Sequence, residues 1–170
     1  DNARHWAAAD GLSAAAANSC DVRRVLRNRS RYEVANNSYA RGISLTLAND
    51  CVCTGPRLQM LSSDVDANRL VEQEFFAWAD AVGLAEKLRT MRLARVSDGE
   101  SFGLLTSNPR VASPVKLDVK LIEAEQVTAP GLELDRSRYV DGIQFDQHGN
   151  PLSYDVLREH PGDHALSLTE

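Results

Sequence analysis

Residues 21–55, DVRRVLRNRSRYEVANNSYARGISLTLANDCVCTG, set the reading of the whole chain. Val22, Val25, Leu26, Arg29, Tyr32 and Val34 recur at helical spacing, which predicts a first helix. Arg23, Arg24, Arg27 and Arg31 fill its other faces. Asn36-Asn37-Ser38 interrupts the pattern, because an Asn side chain competes with the backbone for hydrogen bonds and favours a cap or turn. Tyr39, Ala40, Ile43, Leu47 and Cys51 then predict a second helix with Asn37 as its N-cap. Gly55-Pro56 closes it. The stretch is helix, polar corner, helix, stop.

Working outward, residues 1–20 are Ala-rich with Trp6 as one large anchor, and read as an N-terminal arm. After the stop, residues 55–61 read as a short strand, and the polar segment from Ser62 to Asp66 caps a helix over 67–82. Leu70, Phe75, Trp78, Ala81 and Val82 give that helix an apolar face. Gly83 punctuates, and Leu84, Leu88, Met91, Leu93 and Val96 predict a further helix over 84–96. Asp98-Gly99-Glu100 turns the chain into a strand over 101–106, and 107–114 reads as a polar, mobile loop. Val115 to Val127 alternates as a strand, and 129–137 as a loop. Residues 139–157 read as a hairpin turning at Gly149. Helices followed by strands, with no repeat, predict an α+β fold with an antiparallel or mixed sheet and a C-terminal β-hairpin.

The chain has 170 residues, a net charge of −5 and three cysteines. That length suits one domain, and no apolar run is long enough to cross a membrane. The first residue is Asp, which suggests a trimmed or processed chain. Cys20, Cys51 and Cys53 form no disulfide framework and fit a reducing cytoplasm. The acidic total argues against a free-standing nucleic-acid binder, although Arg23, Arg24, Arg27, Arg29 and Arg31 form a local basic stripe.

Chemical motifs are few. Cys51-x-Cys53 with His148, His160 and His164 has the wrong cysteine spacing for structural zinc, and Cys51 falls on the apolar face of its helix. Asp64-x-Asp66-x-Asn68 starts like a calcium loop, but Arg69 and Phe75 occupy the positions that need Gly and Glu. The pairs Asp98/Glu100 and Glu123/Glu125 have no candidate nucleophile beside them. Neither a nucleophile elbow nor a phosphate loop is present, and no cofactor is implied. Arg23 with Arg27, and Arg27 with Arg31, repel at i,i+4 spacing unless something offsets them. Carboxylates of the same or a neighbouring subunit would do so, and so would nucleic-acid phosphate.

Several blocks resemble the lambda-type portal proteins of tailed bacteriophages. Leu26, Arg27, Arg29, Ser30 and Arg31 match the family's basic helix. Asn36, Asn37, Tyr39 and Ala40 match its corner, with Ser38 where Pro is usual. Asp98-Gly99-Glu100 with Phe102, the Ile122–Val127 segment, Gly142 to Tyr154 and His160-Pro161-Gly162-Asp163 continue the likeness. The resemblance implies a non-enzymatic subunit of a homo-oligomeric, dodecameric ring at the capsid vertex, present in the virion and assembled in the host cytoplasm. It implies terminase, head-completion proteins, capsid protein and double-stranded DNA in the channel as partners, and no membrane. Residues 21–170 would be the wing-like body, and the stem, clip and crown regions would lie further along. The five arginines would then make intersubunit or nucleic-acid contacts, and Asn36, Asn37, Gly55, Gly99 and Gly149 would shape the corner and turns. The alternative is an independent, sequence-nonspecific nucleic-acid-binding module using the basic helix 22–34.

Overall fold

The structure, a computed structural model, describes residues 11–129 and 138–163. Trp6, most of the 129–137 loop and His164 lie outside them. Within the N-terminal arm a single helical turn, α1 (Ala14–Ala17), is capped by the Ser13 hydroxyl, which accepts from Ala16 N at 3.2 Å. Four longer helices follow: α2 (Cys20–Asn36), α3 (Ser38–Val52), α4 (Val65–Ala81) and α5 (Leu84–Asp98). Two small antiparallel sheets complete the fold, β1 (Phe102–Ser107) with β2 (Leu117–Ile122), and β3 (Tyr139–Val140), β4 (Ile143–Phe145) and β5 (Pro151–Tyr154). The fold is α+β, helices first.

The corner between α2 and α3 follows from its asparagines. Asn37 leaves the helical region, and its side-chain oxygen accepts from Tyr39 N at 3.0 Å and Ala40 N at 3.4 Å, satisfying donors that α3 cannot pair internally. Asn36 stays in α2 and donates to Tyr32 O. At the other end α3 stops at Val52, before Gly55, with Cys53 itself at φ +48°. Residues 56–61 form no strand; Met60 N donates to the Glu72 carboxylate at 2.8 Å instead of to a ladder. Asp64 caps α4 by accepting from Ala67 N at 2.9 Å, which accounts for the calcium-loop mimicry around it.

The apolar core is small. Val82, Leu84 and Val111 are buried together, with Phe75, Trp78, Leu88 and Val119 packed against them. Val111 and Ser113 come from the 107–114 segment expected to be a mobile loop. That segment is instead part of the core, held by Asn108 N donating to Lys116 O and Lys116 Nζ donating to Val111 O. Trp78 Nε1 donates to Leu117 O at 2.8 Å and Lys87 pairs with Asp118, which joins α4 and α5 to β2. The alternating run expected over 115–127 ends as a strand at Ile122 and continues as a 3₁₀ turn, Ala124–Gln126. Phe102 meets Tyr154 edge-on, and Val127 bridges Val156, so the two sheets touch there.

Candidate functional site: an arginine–carboxylate hub

An α-helix advances 100° per residue, so Arg23, Arg27 and Arg31 share one face of α2. That face is turned inward. Arg27 is buried, with 8% of its side chain exposed, and Arg23 and Arg31 are half-buried. The apolar stripe of the same helix, Val22, Val25, Leu26 and Tyr32, is exposed. The helix is amphipathic in reverse: charge faces the protein and apolar groups face solvent.

Each inward guanidinium meets carboxylates from distant sequence. Arg27 Nη2 donates to Glu100 Oε1 at 2.6 Å, and its Nη1 stands 3.6 Å from Glu125. Arg31 reaches Asp98 with two hydrogen bonds, at 2.8 and 2.6 Å, and Glu125 at 2.8 and 2.9 Å. Two-point contact of this kind fixes geometry as well as charge. Arg23 pairs with Asp141, which also accepts from the Cys20 thiol and the Thr128 hydroxyl. The i,i+4 repulsion along α2 is offset inside the chain by these carboxylates.

The electrostatics follow from the pairing. Burial alone would raise Asp98, but hydrogen bonds from Arg31 and Ser97 outweigh it and hold the carboxyl below its usual range. Glu125 behaves alike: burial is outweighed by a backbone hydrogen bond and Arg31. Arg31 is held more firmly protonated by its bonds to Asp98 and Glu125, against the burial that opposes it. Glu100 goes the other way, because burial raises it more than Arg27 and Arg23 lower it.

His160 Nε2 lies 3.6 Å from a carboxylate oxygen of both Glu123 and Glu125. These three residues bring ligand-type atoms within 4.8 Å of one another. Arg31 already engages both Glu125 oxygens, and Arg27 stands beside it, so a divalent cation would face two fixed positive charges. The cluster is built for ion pairing rather than for a metal.

The remaining sequence-singled residues lie elsewhere. Arg24 is exposed and pairs with Asp21 one helical turn away, and Arg29 sits on the exposed stripe. Gly55, Gly99 and Gly149 all have left-handed φ, at +93°, +85° and +84°. Gly142, at φ +81°, is the tighter position: a Cβ there would lie 2.5 Å from the Thr128 carbonyl carbon. Cys51, expected on an apolar helix face, is exposed, as are Cys20 and Cys53. Asp141 was not among the candidates; an acidic residue just before a glycine carries no local sign of a partner 118 residues away.

The hub gathers several of the separated sequence blocks: the basic helix, Asp98-Gly99-Glu100, Glu123 to Glu125 and His160. No helix among the described residues is long and apolar enough to cross a membrane. Compared with family models, residues 2–170 match the one described as phage portal protein, lambda family. A comparison with curated proteins gives no match.

Proposed function

The chain belongs to the lambda family of phage portal proteins, and we propose that it serves as a structural subunit of a ring at the capsid vertex. The ring is the conduit for genome packaging and ejection, and it docks the terminase and head-completion proteins. Residues 21–170 supply the wing-like outer body and residues 1–20 an arm laid against a neighbour. Its place is the virion, after assembly in the host cytoplasm. It has no bond-making centre: its charged residues hold the body together.

The observation that carries this reading is the reversed helix α2. A helix that buries its arginines and exposes Val22, Val25, Leu26 and Tyr32 is a poor design for an isolated monomer, since contiguous exposed apolar surface marks an interaction site. Exposed Tyr39, Ile43 and Leu47 extend the same character along α3. Neighbouring subunits would cover such surface. The nucleic-acid alternative needs a solvent-facing basic stripe, and Arg23, Arg27 and Arg31 are committed inward. Size-exclusion chromatography with light scattering, followed by electron microscopy of the assembled species, tests the proposal. Closed rings are expected; a protein that stays monomeric, or forms only open aggregates, would remove the reading.

A further inference from the structure

The exposed stripe of α2 has a counterpart elsewhere on the same molecule. Between α4, Leu58 and the start of β2 lies an open groove of about 600 Å³. Leu70, Val71, Phe75, Trp78 and Leu117 line it, and Glu74 is the one charged group on its wall. A small-molecule site of that volume usually carries several convergent polar groups to orient its ligand. Here one carboxylate stands in an otherwise apolar trough, which suits an apolar ridge bearing one cation.

The chain carries such a ridge. Val22, Val25, Leu26 and Tyr32 are 38%, 43%, 54% and 66% exposed, and Arg29 stands among them at helical spacing. Arg29 and Glu74 are both exposed, and neither has an ion-pair partner among the described residues. Helix α2 packs on α3 and α5 and leaves the ridge exposed, whereas the groove belongs to α4, so the two are different surfaces. We infer that the α2 ridge of one copy seats in the α4 groove of the next, with Arg29 against Glu74. The pairing rests on the ring reading and sharpens it by naming the two faces. Because ridge and groove are unlike, the contact is heterologous, the kind that propagates head to tail and closes as a ring when the rotation permits. The apolar flanks supply the buried area, and the lone charge pair fixes register and excludes like-charged alignments.

Charge reversal tests it. Arg29→Glu and Glu74→Arg should each weaken self-association by roughly tenfold or more, read by sedimentation velocity across a concentration series. Both positions are exposed, so circular dichroism should show the fold unchanged. The double variant should associate like the wild type. An equimolar mixture of the two single variants should do so too, because each junction then pairs opposite charges. If wild type associates and the single variants associate equally well, or if neither the double variant nor the mixture is rescued, the ridge-in-groove contact is wrong while the ring reading stands. If the wild-type chain does not associate at all, both fall.

Discussion

Arg27 separates two kinds of arginine on one helix. It is 8% exposed and stands against Glu100 and Glu125, whereas Arg24 pairs with Asp21 where both side chains are mostly exposed. Removing one partner of an enclosed pair leaves uncompensated charge behind, while an exposed i,i+3 pair contributes little. Arg27→Ala is therefore expected to lower unfolding free energy by about 3 kcal/mol, and Arg24→Ala by less than about 0.5 kcal/mol. Paired urea titrations check this, and equal midpoints would contradict it. The carboxylates predict the pH profile. Asp98 and Glu125 have depressed values, so their stabilisation is present above the unfolded carboxyl range near ~4 and is lost as pH falls through the folded values below it. Glu100 is raised, so its contribution is present below the unfolded value and is lost as pH rises through the folded one. Asp98→Asn should flatten the acid limb of the stability curve, and Glu100→Gln should flatten the segment just above it. Urea midpoints measured from pH 3 to 7 distinguish the two, and a Glu100→Gln variant that loses only the acid limb would show the opposite sign at that residue.

At the scale of elements, the positions of helices were more legible than their orientations. The 3.6-residue period placed α2, α3, α4 and α5 within a few residues of their observed bounds, because spacing is a local property. The same period says that α2 has two faces without saying which is inside. That choice was decided by Glu100, Asp98, Glu125 and Asp141, which lie 67 to 118 residues away along the chain. The acidic pairs were visible as pairs, and the arginines as a stripe in need of offset, but no local pattern joins the two. Residues 56–61 look apolar enough for a strand but join no ladder, and their Met60 amide donates to Glu72. Where an element is set by local chemistry the reading transfers directly to a measurement. Asn37 accepts from two amides at the start of α3, so Asn37→Ala should cost about 1 kcal/mol, while Asn37→Ser or Asn37→Asp should recover most of it. Thermal unfolding of the three variants gives the order, and an alanine variant as stable as wild type would mean the corner is held by packing rather than by its cap.

At the scale of the whole molecule, charge has been spent on internal architecture and apolar surface on external. The net charge is −5, and four of the five arginines on α2 pair with carboxylates within the chain, three of them turned inward. Phosphate contacts release counterions and give an affinity that falls steeply with salt, but they need guanidiniums that solvent can reach. Arg24 and Arg29 remain on the outside of α2, the former beside Asp21, and Arg29 lies within an apolar stripe. The two outward cations of α2 cannot by themselves supply the six to ten phosphate contacts, roughly, of a salt-sensitive binder. The chain is therefore expected to show no saturable binding to duplex DNA in fluorescence anisotropy at ~50 mM salt. Binding whose affinity falls steeply with added salt would draw either on exposed cations outside α2, such as Arg41, Arg57 and Arg69, or on arginines that leave the hub, and the second case has its own signature. Arg31→Ala would then reduce the salt slope as well as stability, an outcome that would restore the basic-helix reading. If duplex is ignored while the protein self-associates, the division of labour seen in α2 holds across the molecule: ion pairs join the helices to the sheets, and the apolar face is left for a neighbour.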